Sequence, residues 1–301
     1  MIRILQLDSG GSKGIAQITA LKEMEKELGV PLYEMFDLII GSSVGAILGG
    51  VLATGKVNTC ELYDIVLDGI YKIFEKKCRI PVLQPLYSRE PFYKIFNDAV
   101  GKDFLMNKCI TKFICTAVSK VDGRTHFFKS WEEKDGKLKL IDAISRSYAA
   151  PYYFGKMVDK ADKQVWVDGA AGDATSTLIE ALIEAIRQKW LYNGEHVHIL
   201  SIGTGRTDIG TPYQKAKKGS GLSDILFYWN LGNGGLSRVQ SVESRNNLLV
   251  AIDQNYDNLS FNRIDVNLPK KMNAMAKLEY IPNYQEFGKE MAKQIDLSYF
   301  K

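Results

Sequence analysis

Ser43 lies in Gly41-Ser42-Ser43-Val44-Gly45, a G-x-S-x-G pattern set between two apolar runs. Phe36-Asp37-Leu38-Ile39-Ile40 before it is β-prone, and Ala46–Ala53 after it is rich in small and helix-forming residues. Strand, sharp turn and helix in that order expose a serine hydroxyl as a nucleophile. The turn needs small flanking residues, and glycine tolerates its backbone angles. The helix N-terminus behind the serine favours a developing oxyanion through its N–H groups and dipole. A second glycine-rich turn, Ser9-Gly10-Gly11-Ser12-Lys13-Gly14, also joins a strand to a helix. Such a turn binds phosphate in dinucleotide sites, but here Ser9 holds the first position of G-x-G-x-x-G and no acid ends a second strand in the expected place. Its other use is as an oxyanion hole of bare backbone N–H groups, which suits a loop that just precedes a nucleophile turn. Asp168 heads Asp168-Gly169-Ala170 and reads from the sequence as a carboxylate at a strand end or as a turn residue.

These groups need a sheet to hold them. Ile2–Leu7 predicts a first strand, and Ile15, Ile18, Leu21, Met24 and Leu28 share one face of the helix after it, stopped by Gly29 and Pro31. Helical patterns follow at Asn58–Phe74 and Pro91–Ala99. Between them, Lys76-Lys77-Cys78-Arg79 with Pro81 and Pro85 forms an irregular stretch, a candidate lid or a solvated loop. Lys112–Val118 and Thr125–Phe128 flank Asp122-Gly123 as a hairpin. Asp142–Tyr148 predicts a helix and Gln164–Val167 a strand. Thr177-x-x-Glu180 reads as a capping box for a helix carrying Leu178, Leu182, Ala185 and Ile186, and Val197–Ile202 as a strand ending at Gly203. Gln214–Gly221 reads as a basic linker, Ser223–Gln254 as mostly helical, Phe261–Val266 as a last strand and Tyr284–Ile295 as a last helix. In open α/β sheets functional groups gather at the carboxyl ends of strands, where Ser43, Asp168 and the Gly10-Gly11 loop are all placed. No repeat and no domain boundary is visible, so the expectation is one domain over 1–301, its motif-bearing core at about 1–205 and a mostly helical extension at 206–301.

Composition narrows the classes. The chain has 301 residues, 46% hydrophobic and 25% charged, which suits an ordinary globular α/β protein. A net charge of +4 is too small to argue for a nucleic-acid polymer, though it is compatible with anionic lipid. Four cysteines without C-x-x-C spacing point to a reducing, cytoplasmic compartment, and Asp8 comes too early for a signal peptide's apolar region. Leu38–Gly55 carries no charge and repeats glycine at G-x-x-x-G spacing, so it has a competing reading as a membrane span. A helix buried on all sides explains the same composition. No His/Cys/carboxylate cluster has metal-ligand spacing, and no cofactor or metal is expected. A Ser-Asp-His triad would need His126, His196 or His198. The last two fall at the start of their strand, on the opposite edge of the sheet, and His126 falls inside a hairpin strand.

Taken in register, Asp8-Ser9-Gly10-Gly11-Ser12-Lys13-Gly14, Gly41-Ser42-Ser43-Val44-Gly45 and Asp168-Gly169-Ala170 resemble the patatin-like phospholipase family. Ser147-Tyr148-Ala149-Ala150-Pro151-Tyr152-Tyr153-Phe154 and Leu200–Gly205 are similar to two further family segments, so the resemblance spans about residues 1–205. It departs at Ser9, where the family has glycine, and at Gly172-Asp173-Ala174-Thr175, where an Asn-Pro pair is common. The resemblance implies an α/β three-layer sandwich with a mostly parallel central sheet. It implies a Ser43–Asp168 dyad, with Asp168 as the base, and an oxyanion hole from the N–H groups of Gly10, Gly11 and Val44. Lys13 becomes a loop cation that orients the loop or meets lipid phosphate. The implied reaction is hydrolysis of glycerophospholipid esters through an acyl-enzyme, at a membrane surface bound peripherally and reversibly. Some bacterial members resemble anti-phage effectors switched by cyclic nucleotides. A cyclic nucleotide activator, held by Lys215, Lys217, Lys218, Lys270 and Lys271, is therefore a candidate partner, and a homo-oligomer is another.

Overall fold

The computed structural model describes residues 1–75, 84–172, 174–206, 246–248, 250, 252 and 256–301. The basic stretch Lys76–Arg79 with Pro81, the linker at 214–221, Lys215, Lys217 and Lys218, and most of the helix expected over 223–254 lie outside the described residues.

Among the described residues eight strands form a single sheet: β1 (Ile2–Leu7), β2 (Leu38–Gly41), β3 (Lys112–Ser119), β4 (Thr125–Lys129), β5 (Met157–Asp159), β6 (Gln164–Asp168), β7 (Val197–Ile202) and β8 (Leu259–Ile264). Their order is β5-β6-β3-β2-β1-β7-β8, with β4 also on β3. The β3-β2-β1-β7-β8 half is parallel, as the doubly covered apolar runs predict. The β4, β5 and β6 pairings are antiparallel, so the sheet is mixed.

Side chains along the strands alternate between two cores. Leu5, Leu7, Ile39, Phe113, Leu200 and Ile264 face one; Ile4, Leu38, Ile40, Ile114, Ile199 and Leu259 face the other. The first core is covered by α1 (Gly14–Leu28), α3 (Val44–Ala53), α4 (Thr59–Ile73), α5 (Glu90–Ala99), α7 (Leu140–Ser147) and α9 (Ile281–Ala292). The second is covered by α8 (Leu178–Arg187). Two short helices, α2 (Leu32–Met35) and α6 (Glu133–Gly136), lie in connections. Helices on both faces of a sheet make the expected three-layer sandwich.

The stops and starts follow local chemistry. Gly29 takes φ 69° and closes α1 by donating its N–H to Glu25 O. Asn58 and Glu61 form a reciprocal capping box at the start of α4. The capping box expected at Thr177 does not form: Thr177 makes no side-chain cap bond, and its hydroxyl instead accepts Gln6 Nε2 at 3.3 Å. Leu38–Gly55 is split between β2, the turn and the ten-residue α3, where Leu48 and Leu52 are fully buried. Among the described residues no helix is long and apolar enough to cross a membrane.

Candidate active site

Ser43 sits at φ 54° and ψ −118°, a conformation L-residues avoid, between β2 and the first turn of α3. Strain of that kind persists only where its surroundings force it. Here close approach does so. A Cβ on Gly45 would stand 2.3 Å from Leu7 O, and one on Gly41 would stand 2.3 Å from Gly45 O. Both glycines are needed for contact distance, and the unusual angle falls on the serine itself.

Asp168 reaches Ser43 by a route that the parallel-sheet expectation does not contain. β4 occupies one edge of β3, pairing Ile114–Val118. On the other edge β2 pairs Lys112–Cys115 and ends at Gly41. β6 continues along that same edge in the opposite direction, pairing Ser119 back to Ala117 and ending at Asp168. The two strands meet head to head across Thr116, so their carboxyl ends face each other. Ser43 Oγ donates to Asp168 Oδ2 at 2.7 Å, and Asp168 Oδ1 accepts Ala170 N–H at 2.8 Å. Ser43 and Asp168 are 4% and 3% exposed, so this hydrogen bond is shielded from water. Ser43 N–H donates to Ser147 Oγ at 3.0 Å, which ties the turn to the end of α7.

The glycine-rich turn stands beside them. Among the described residues the N–H groups of Gly10, Gly11 and Val44 donate to no protein acceptor. Gly11 and Val44 line the same cavity as Ser43, whereas Gly10 does not line it. The loop is fixed from three sides. Ser9 N–H donates to Thr175 O at 2.9 Å, Ser9 O accepts Thr204 Oγ1 at 2.8 Å, and Ser12 N–H donates to Met275 O at 2.7 Å. Gly10 would place a Cβ 2.3 Å from Thr204 Oγ1, and Gly11, at φ 61°, would place one 2.4 Å from Met275 O. Lys13 is 7% exposed and donates from Nζ to Asn273 Oδ1 at 3.2 Å. That burial favours bracing the loop over meeting a lipid surface. After Asp168 the chain forms a short 3-10 turn at Gly169–Ala171, and α8 follows from Leu178 without the Asn-Pro pair.

Two supports went unread in the sequence, both from its last third. Arg263 Nη2 lies 2.6 Å from Asp8 Oδ2 and 2.9 Å from Asp265 Oδ2, just ahead of Ser9. Burial pushes the Arg263 guanidinium down, but the Asp8 and Asp265 carboxylates outweigh it and hold its pKa above the ordinary value. The strap Lys270–Met275 crosses the loop and is itself held by Tyr284, whose hydroxyl donates to Met272 O at 2.8 Å.

The histidines are elsewhere. His126 Nε2 is 2.8 Å from Asp122 Oδ2 in the β3–β4 hairpin. His196 Nε2 and His198 Nδ1 both contact Ser260 Oγ, at 2.9 and 2.8 Å, where β7 begins and pairs with the start of β1. Burial pushes His198 down to about 4, and its ring stacks on Tyr299 at 3.9 Å. Among the described residues no cluster of His, Cys, Asp or Glu could hold a metal ion.

From Ser43 an apolar cavity runs between α3, α4 and α5 and opens to solvent. Val44, Ile47 and Val51 line its length on α3, about 10 Å of helix. Leu62 and Ala99 lie toward its far end, beside the α3–α4 turn, where Lys56 Nζ donates to Val100 O at 2.6 Å. Phe74, Phe154 and Met275 belong to its walls nearer Ser43.

Residues 5–180 match the patatin-like phospholipase family. The chain is 32% identical over 222 residues to a cGAMP-activated phospholipase of Escherichia coli, covering 67% of this chain and 62% of that protein. It is 29% identical over 259 residues to a cGAMP-activated phospholipase of Vibrio cholerae, covering 77% of this chain and 71% of that protein. Less than two thirds of the first relative's length is therefore spanned. Among solved structures, VipD from Legionella pneumophila superposes with a TM-score of 0.50 at 12% identity, over 97% of this chain and 66% of that one. A strained serine between β2 and α3, a carboxylate hydrogen-bonded to it and a match through both place the chain in the patatin-like phospholipase family.

Proposed function

We propose that this protein is a serine lipid acyl hydrolase of phospholipase A type, working through a Ser43–Asp168 dyad. The observation that carries the reading is the 2.7 Å bond between Ser43 Oγ and Asp168 Oδ2, with Ser43 lining an apolar cavity. Asp168 takes the hydroxyl proton as Ser43 Oγ attacks the acyl carbonyl carbon. The carbonyl oxygen gains the negative charge and is met by the N–H groups of Gly11 and Val44, with Gly10 behind them. The carbon–oxygen ester bond then breaks, and the departing alcohol takes the proton back from Asp168. Water attacks the acyl-enzyme, Asp168 accepts its proton, and the fatty acid leaves as Ser43 is restored. The cavity takes the acyl chain, because an apolar wall of this length offers nothing to a head group. The test is product analysis by mass spectrometry on phospholipid vesicles. Wild type releases free fatty acid and lysolipid, and Ser43→Ala releases neither. Fatty-acid release by Ser43→Ala would remove the proposal.

A second reading adds regulation: the protein is switched on by a cyclic nucleotide and degrades membrane lipid in anti-phage defence. It is supported by relatives named as cGAMP-activated and cUMP-AMP-activated phospholipases at 27–32% identity. Exposed Lys270 and Lys271 stand at the start of the strap that holds the Gly11 loop, so an anion there would act directly on the oxyanion donors. Activity with and without cyclic dinucleotide separates the two readings. Peripheral, reversible association with a lipid surface and assembly into a homo-oligomer belong to the same proposal. Vesicle co-sedimentation and sedimentation velocity test them.

A further inference from the structure

Two aromatic rings of the cavity wall belong to a run of packed rings that reaches the surface. Phe74 and Phe154, both in the cavity wall, have centroids 5.8 Å apart. Tyr87 packs on both, at 5.2 and 5.7 Å, and stacks on Tyr153 at 6.1 Å. Tyr153 meets Tyr152 edge-on at 5.2 Å, and Tyr152 is 49% exposed. Tyr71, 55% exposed, is one helical turn from Phe74 on α4.

This loop is held rigidly. The N–H groups of Tyr153, Phe154 and Gly155 all donate to Ala150 O, at 2.9–3.0 Å. Leu86 and Tyr87 N–H donate to Tyr152 and Tyr153 O at 3.2 and 2.9 Å, and Arg89 Nη2 donates to Gly155 O at 2.6 Å. Tyr152 is therefore presented outward by a fixed backbone, so its ordering cost is met before any partner arrives. Exposed Lys156, Lys160 and Lys163 follow it in sequence. Both acids of that stretch are matched by cations outside it, Asp159 by Arg146 at 2.6 Å and Asp162 by Lys134 at 3.7 Å, so its net charge stays positive.

Tyrosine combines an apolar ring with a polar tip and settles at the level of lipid head groups. Lysines beside it favour anionic lipid. We propose that the Pro151–Phe154 loop, with Tyr152 outermost, docks on the interfacial layer of a phospholipid bilayer, and that an acyl chain passes along Tyr153, Tyr87 and Phe154 into the cavity. This rests on the acyl-hydrolase reading for the destination of the chain, while the docking stands or falls separately.

The experiment uses vesicles of phosphatidylethanolamine and phosphatidylglycerol. Binding is read by flotation in the Ser43→Ala background, where no hydrolysis alters the membrane. Ser43→Ala binds, and Ser43→Ala with Tyr152→Ser binds roughly tenfold more weakly, as expected for losing the exposed half of a ring that buries about 150–250 Å² in full. Tyr152→Ser alone lowers hydrolysis of vesicle lipid by roughly tenfold relative to hydrolysis of a dissolved short-chain ester. Equal loss on both substrates would make Tyr152 a shaping residue of the cavity and overturn the proposal. Unchanged flotation would overturn it too, as would a dimer in sedimentation velocity that Tyr152→Ser converts to monomer. Tyr152-dependent flotation by a wild type that cleaves no lipid would remove the acyl-hydrolase reading and leave the docking surface in place.

Discussion

Arg263→Met tests how far the last third of the chain holds the oxyanion loop. Arg263 is 8% exposed as a side chain, against 5% for Asp8 and 2% for Asp265. Removing the guanidinium does not strand both acids equally. Asp265 keeps Arg206 at 3.3 Å and the N–H groups of Gly205 and Val266 on Oδ1. Asp8 keeps one side-chain donor, Gln6 Nε2 at 2.9 Å. The cost is therefore that of one buried carboxylate left without its counter-charge, about 3–5 kcal/mol. A domain of ordinary stability, about 5–15 kcal/mol, survives that loss at low temperature. Asp8→Asn in the same chain removes the stranded charge, so the double variant is more stable than Arg263→Met alone, by about 2 kcal/mol. Urea unfolding of Arg263→Met, Asp8→Asn and the double variant, each against wild type, reads this directly. Asp8 adjoins Ser9 and Gly10, so kcat of Arg263→Met, corrected for the folded fraction, falls about tenfold or more, with KM changed less. If Arg263→Met unfolds within 1 kcal/mol of wild type, or the two substitutions simply add, the buried network is not what holds the loop.

Asp168→Asn lowers kcat by roughly 10³-fold or more, while His126→Ala and His196→Ala stay within a few-fold of wild type in the same assay. A loss at His196 matching that at Asp168 would restore a triad. Along a series of dissolved saturated esters, kcat/KM rises roughly fourfold per methylene, from about 0.8 kcal/mol each, until the chain reaches Leu62 and Ala99. Ala99→Phe ends the rise at a shorter chain, and an unchanged optimum would place the acyl group elsewhere. His198 is held neutral by burial, at about 4 against an ordinary value of 6.5. Between those values the unfolded chain binds the proton and the folded one does not. Stability is then whole above about pH 6.5 and falls as pH drops toward 4, by on the order of 2–3 kcal/mol. Urea midpoints from pH 7 to pH 4 show that slope in wild type and a flatter one in His198→Gln.

The parts legible in the sequence are those whose cause is local. The Gly41–Gly45 turn, the Asn58 helix start, the Asp122-Gly123 hairpin and the Gly29 stop each depend on a few neighbouring residues, and each lies where the pattern puts it. The apolar run from Leu38 keeps a competing reading as a membrane span until its strand and helix are seen packed in one core. Thr177 has the right spacing for a capping box, yet Gln6, far away in the chain, engages its hydroxyl. Arg263 and Asp8 are separated by 255 positions, and nothing local in β8 marks the arginine as buried. Whether Lys13 orients the loop or meets lipid phosphate is not legible locally, because its partner, Asn273, belongs to the strap. From the residues alone the meeting of Ser43 with Asp168 is legible only as two strand ends, and the dyad comes from the resemblance, since the head-to-head approach along β3 is a property of register. Gly10 and Gly11 show a related limit. Both are packed so closely on Thr204 and Met275 that alanine there perturbs the loop itself, and neither substitution isolates a single N–H donor.

The central claim is that Ser43 is a nucleophile activated by Asp168. It is tested most directly by reacting the folded protein with a fluorophosphonate and mapping the adduct by peptide mass spectrometry. One adduct per chain on the peptide carrying Ser43, formed much more slowly in Asp168→Asn, is the predicted result. No adduct, an adduct on another residue, or labelling of Ser43 at the same rate in Asp168→Asn would contradict it.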